Sequence, residues 1–222
     1  MRGDIVLIAD PRVARIPVVD NGEPLVDLAE AGFLIDIRQE DPLGAPRQFR
    51  AGAAERLAQA EKLLPAGLRL LVVEAYRPLE LQRKYFDGYS EELAQLNPEY
   101  TPEQLRAAAS RFVSPPELAP HTAGAAIDLT LCDDEGRELD MGTILDATPE
   151  QSDGKCYTAA AGLPPEAAAN RAVLVEAMHS AGFVNYPTEW WHYSYGDRYW
   201  ALMSQRTEAI YGPIEYRGPL DD

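Results

Sequence analysis

The sequence predicts an α+β fold, with helices packed on a mainly antiparallel central sheet in a single domain. Three observations predict it. Segments with helical spacing of apolar residues are interspersed with compact β-rich runs. The last two of those runs stand close enough to pair as an antiparallel hairpin. The 222 residues also contain no repeat, low-complexity tract or dividing linker, and their number suits one well-buried domain.

Residues 1–222 are therefore read as one domain, with an extended N-terminal segment over 1–45 and a C-terminal tail over 196–222. The N-terminal segment reads as short extended pieces broken by turns, Asn21-Gly22 being the clearest turn signal. Apolar residues at Phe49, Ala53, Leu57, Ala60 and Leu64 predict a helix from Gln48 to Leu64, stopped by Pro65-Ala66-Gly67. The run Leu68 to Glu74 reads as a central strand. Pro78 pushes Arg77 toward extended geometry, which places Arg77 at the strand's end. A second helix is expected over Leu79–Leu96, with Gly88 as a point of interruption. Thr101-Pro102-Glu103-Gln104 is a capping box with proline at the first helical position, opening a third helix to about Phe112. Three prolines make Ser114–Pro120 a loop, and Ala125–Cys132 reads as a strand before the turn Asp133–Gly136. Asp140–Tyr157 is polar and irregular. A fourth helix starts at Pro164-Pro165-Glu166 and runs to Ala181, with Gly182 as its stop. Phe183–Tyr186 and Trp190–Tyr195 form the expected hairpin.

Composition narrows the function classes. With 20 Lys+Arg against 36 Asp+Glu the formal charge is −16, and the longest basic cluster is the pair Arg83-Lys84, which speaks against nucleic acid and anionic membrane as partners. No segment has the roughly 18 apolar residues of a membrane span. The apolar run Ile5–Ala9 is shorter than the ~7–15 residues of a secretory core, so a cytoplasmic location is expected. Cys132 and Cys156 suit a reducing compartment, though one disulfide stays open. The oligomeric state is not legible.

The candidate chemistry lies with two of the three histidines. His121 sits between Pro120 and Gly124, on a tight loop. Asp128 follows inside an otherwise apolar strand, where a lone carboxylate is expensive unless it has a partner. His192 closes Glu189-Trp190-Trp191-His192. A metal ion would supply Asp128's partner: two neutral imidazoles and one carboxylate leave a fourth position of a tetrahedral zinc open, the catalytic arrangement. Glu189 and His192 would face opposite sides of an extended strand. Glu189 must therefore sit on a bend at Pro187-Thr188, from which it could act as general base toward the attacking water. The plain alternatives are a packed structural histidine at 192 and an aspartate satisfied by backbone N–H groups at 128. Trp190 and Trp191 read as core or cleft wall, His179 as a residue of a helix C-terminus, and Arg77 taken alone as an ordinary ion pair.

Taken together, His121-Thr122-Ala123-Gly124-Ala125-Ala126-Ile127-Asp128, Glu189-Trp190-Trp191-His192-Tyr193 and the upstream Tyr76-Arg77-Pro78 resemble the zinc D-alanyl-D-alanine dipeptidases. That family includes the dipeptidase of vancomycin resistance and shares its α+β fold with zinc D,D-carboxypeptidases and the Hedgehog signalling domain. The resemblance runs from about Val18 to Tyr195. It implies one zinc per chain held by His121, Asp128 and His192, Glu189 as catalytic base, and Arg77 as the cation that stabilises the tetrahedral intermediate. It also implies that Asp146 holds the free amine of a short peptide substrate. One position departs from the pattern: the family often has serine two residues before the first zinc histidine, and here that residue is Ala119.

Three activities compete on these residues. The first is zinc-dependent hydrolysis of D-Ala-D-Ala or a related short D,D-dipeptide. The second is a D,D- or L,D-carboxypeptidase acting on peptidoglycan stem peptides, which needs a groove open at the amine end. The third is a non-catalytic zinc module, which would need neither Glu189 nor Arg77. Asp146, Glu189 and Arg77 favour the first.

Overall fold

A computed structural model describes residues 5–36, 38 and 41–218; the outer ends of the N-terminal segment and of the tail, at 1–4 and 219–222, lie outside the described residues. The chain runs through α1 (Pro11–Ala14), β1 (Leu25–Asp27), β2 (Leu34–Ile35), β3 (Gln48–Arg50), α2 (Ala51–Lys62), β4 (Leu68–Glu74) and α3 (Leu79–Leu96). It continues through α4 (Pro102–Ala109), β5 (Ala126–Asp133), α5 (Pro165–Ser180), β6 (Val184–Asn185), β7 (His192–Ser194) and α6 (Arg198–Met203).

Five strands form the central sheet in the order β2-β4-β5-β7-β6. All pairings are antiparallel except β2 with β4, which is parallel. The sheet centre is the β4–β5 pair, made from the two most apolar runs of the chain. Ile127, Leu129 and Leu131 of β5 are fully buried in the main core, with Phe49 and Leu57 from the β3–α2 unit and Leu174 and Met178 of α5. Burying a side chain of that size contributes about 1.5–3 kcal/mol. A second, smaller cluster of Ile8, Val13, Tyr186 and Tyr199 ties the N-terminal segment and α1 to α6. No described helix is long and apolar enough to cross a membrane, and Cys132 and Cys156 are free and buried.

Several elements depart from expectation. The helix expected from Gln48 begins at Ala51, because Gln48–Arg50 pairs as β3 with β1. Arg50 holds that extended geometry: its buried guanidinium donates to the carbonyls of Ala123 (2.9 Å), Glu23 (2.5 Å) and Gly212 (3.0 Å) and to Asp20 (2.7 Å). Gly88 does not interrupt α3, since it faces open space where glycine costs only about 1 kcal/mol against alanine. α4 ends at Ala109, before Phe112. The N-terminal segment contains α1, capped by the Asp10 side chain with Pro11 following, and the tail contains α6, capped by Asp197.

Candidate active site

Register across the sheet builds the site. Glu74 on β4 stands opposite Asp128 on β5, and Asp128 stands opposite His192 on β7. A shift in the β4–β5 register between Val72 and Glu74 brings Glu74 into that row, a bulge of the kind that re-aims side chains beside active sites. His121 reaches the row from a 3-10 turn, Pro120–Ala123. That turn ends at Gly124, whose φ of +60° favours glycine and where an added Cβ would lie 2.5 Å from Leu25 Cδ2.

The three expected ligands converge. His121 Nε2 lies 3.2 Å from His192 Nδ1 and 3.3 Å from Asp128 Oδ2, and His192 Nδ1 lies 2.9 Å from Asp128 Oδ1. Ligands about 2.0–2.1 Å from a tetrahedral zinc stand about 3.3 Å from one another, so these separations are those of three corners of such a site. His121 Nδ1 sits 2.7 Å from the Ala75 carbonyl, to which it can only donate. That fixes the tautomer and leaves the Nε2 lone pair facing the other two ligands. All three residues are buried. Burial opposes charge on Asp128, but the two imidazoles outweigh it and hold its carboxyl below the usual range. Burial likewise opposes protonation of His121, and Asp128 more than offsets it, raising its pKa. The donor set fits zinc.

Glu189 follows the Pro187-Thr188 turn, as the bend argument requires, with its N–H donating to the Tyr186 carbonyl at 2.9 Å. Its Oε2 lies 3.8 Å from His192 Nδ1, beside the ligand cluster and not within it. Burial pushes its carboxyl up to about 7; His192 pulls against this, and Asp128 and Asp146 add to it.

Arg77 stands three residues beyond the end of β4, in the irregular stretch that leads into α3. Its N–H donates to the His121 carbonyl at 3.2 Å, coupling the arginine loop to the histidine loop. Its guanidinium grips Glu74 through Nε (2.8 Å) and Nη2, and donates from Nη1 to Gln82 Oε1 at 2.8 Å. Although burial works against its charge, Glu74 raises its pKa further still. Other N–H groups of the fork remain for a substrate anion. Glu74 and Gln82, the residues that aim Arg77, escaped the sequence reading. The signal for Glu74 was the one that exposed Asp128, a carboxylate in an apolar strand. Gln82 had none.

The three expected ligands, Glu189, Arg77 and Gln82 line one cavity of about 320 Å³ that also receives Ala119, Tyr85, Phe112, Tyr186 and Trp191. Trp191 is therefore cleft wall, while Trp190 is buried with its indole N–H on Thr143 Oγ1 at 2.8 Å. Ala119 presents a methyl where the family pattern often has a serine hydroxyl. Asp146 opens into the cavity at φ +63°, a left-handed backbone that aspartate tolerates better than most residues. It reaches solvent through the mouth, yet the wall behind it, with Asp128 and Glu74, pushes its carboxyl up to about 6. His179 lies exposed near the end of α5, apart from the cluster.

A buried His–Asp–His cluster at tetrahedral spacing, with an unligated carboxylate and an arginine in the same cavity, defines a metal-dependent hydrolase. The family model for D-Ala-D-Ala dipeptidases, peptidase family M15, matches residues 49–209. The chain belongs to this family of zinc metallopeptidases. It is 29% identical over 238 aligned positions to a D-alanyl-D-alanine dipeptidase of Synechocystis, covering 93% of this chain and 95% of that one. A D-alanyl-D-alanine dipeptidase of Escherichia coli is 33% identical over 128 positions, 58% of this chain and 55% of the relative. A structure of a zinc-bound mutant of a vancomycin-resistance D,D-pentapeptidase aligns with 86% of this chain and 94% of its own at 18% identity, with a TM-score of 0.43.

Proposed function

We propose that this chain hydrolyses D-alanyl-D-alanine with one zinc held by His121, Asp128 and His192. The observation that carries the reading is the placement of Glu189: a carboxylate with a raised pKa beside three donors at zinc spacing, free to handle protons. When bound, zinc lowers the pKa of a coordinated water and polarises a carbonyl. Glu189 takes the proton of the attacking water as its oxygen bonds the scissile carbon, then gives that proton to the amine that leaves as the C–N bond breaks. Arg77, aimed by Glu74 and Gln82, donates to the oxyanion that develops at the carbonyl. Asp146 pairs with the substrate's free ammonium. Tyr186, Trp191 and Phe112 wall the cavity against bulk water. One such donor cluster is present among the described residues, in keeping with one zinc per chain, and the free buried thiols suit a cytoplasmic location.

Purified protein loaded with zinc, offered D-Ala-D-Ala and its N-acetylated form, tests the reading. Hydrolysis of the free dipeptide with little turnover of the blocked one is expected, because blocking removes the cation that Asp146 holds. Comparable rates on both would replace the dipeptidase with a carboxypeptidase acting on peptidoglycan stems. Hydrolysis of neither would leave a zinc module without catalysis.

A further inference from the structure

Phe112 and Glu189 do not close the catalytic cavity. They also wall a second cavity of about 400 Å³, lined by residues of α3, α4 and the loop that follows Asp146. Its walls are apolar over most of their area, with Tyr89 and Leu93 from α3, Ala108 from α4, and Ala147 and Pro149 from the loop, while Arg111 and Glu150 add charge at its edge beside Glu189. None of the hydrolytic residues named for D-Ala-D-Ala except Glu189 borders this space.

The contacts proposed above fix a dipeptide's first residue from two directions. Its ammonium sits on Asp146, and its carbonyl lies at the His121–Asp128–His192 cluster with Glu189 beside it. The Cα bridges these two anchors, so its side chain leaves from between them. Ala147, which follows Asp146 directly, and Glu189 are both walls of the second cavity. We infer that the second cavity is a specificity pocket for an apolar side chain on the substrate's first residue, so that D,D-dipeptides opening with a residue bulkier than alanine are substrates too. The assignment rests on the dipeptidase reading and adds the substrate class. Apolar walls favour a hydrocarbon side chain.

The zinc-loaded protein offered D-Ala-D-Ala and D-Leu-D-Ala tests it, through the ratio of the two kcat/KM values. In the unaltered protein, D-Leu-D-Ala should reach at least one-tenth the kcat/KM of D-Ala-D-Ala. Ala108→Trp, which fills the second cavity from α4, should lower that ratio tenfold or more. Leu93→Trp fills it from α3 and serves if the first variant does not fold, as judged by circular dichroism. A leucine substrate below one-tenth in the unaltered protein, or a ratio that falls less than tenfold in the folded variant, overturns the pocket while D-Ala-D-Ala turnover keeps the dipeptidase reading standing. Turnover of D-Leu-D-Ala alone would keep the pocket and overturn D-Ala-D-Ala as the substrate. Turnover of neither removes both.

Discussion

Glu74 and Asp128 stand side by side on neighbouring strands, two buried carboxylates answered in different ways: one by an arginine, the other by two imidazoles. Removing an answering partner should therefore cost more than removing an ordinary contact. Glu74→Ala leaves the Arg77 guanidinium without its bidentate partner, and breaking such a pair should cost about 3–5 kcal/mol in denaturant unfolding. His192→Ala should abolish stoichiometric zinc by elemental analysis. Glu189→Ala should keep zinc and lose turnover by about 10²-fold or more, the scale of lost general-base catalysis. Asp146 adds a pH signature. Its carboxyl, raised to about 6, loses its charge as pH falls through that value. The acid limb of kcat/KM on the free dipeptide should accordingly steepen below about pH 6, and Asp146→Asn should remove one proton from that limb. A limb unchanged in the variant would separate Asp146 from the substrate amine. At this scale the sequence was most readable where a residue contradicts its surroundings, as Asp128 does inside its apolar strand. Gln82 is polar on a polar helix and carries no such contradiction; only the tertiary path of Arg77 gives it meaning.

Among the elements, the tail acquires a role that its sequence did not suggest. Ile214 donates its N–H to the Thr122 carbonyl at 3.0 Å, next to His121. Its own carbonyl accepts from the Tyr76 hydroxyl at 2.7 Å, next to Arg77, and that hydroxyl accepts in turn from the Tyr216 N–H at 3.2 Å. One segment thus braces both the histidine loop and the arginine loop. Tyr76→Phe should lower kcat on D-Ala-D-Ala severalfold and weaken zinc retention against a chelator, with circular dichroism unchanged. Equal retention in both proteins would reduce the brace to packing. Elements with strong local signals were legible: β4, β5, α3, and α4 with its capping box. β3 and the parallel strand β2 were not, because three- and two-residue strands are defined by what they pair with and not by a pattern of their own. α6 is only six residues long, with its cap at Asp197 inside an aromatic stretch that reads equally well as strand.

For the molecule as a whole, zinc is both reagent and ligand of the folded state. At a free concentration about a thousand times its Kd, it would stabilise the fold by roughly 4 kcal/mol. Chelation should therefore lower the melting temperature of the unaltered protein, and added zinc should restore it, whereas Asp128→Ala should melt at the same temperature with and without chelator. The formal charge of −16 disfavours anionic partners but says nothing of the fold. The fold class followed from alternating helical and strand-like runs, which are local. The site's assembly from β4, a 3-10 turn, β5, a left-handed loop residue and β7 is long-range, and only the paired strands reveal it.

The brace formed by the tail also bears on when the protein can begin to work. A ribosome makes His121, Asp128, Glu189 and His192 well before it reaches Gly212. A nascent chain halted between those points would hold every residue of the proposed mechanism and still lack the segment that supports two of its loops. Competence thus waits until the chain has been made through Tyr216, and a message truncated between His192 and Gly212 would yield a protein with its chemistry encoded but unsupported.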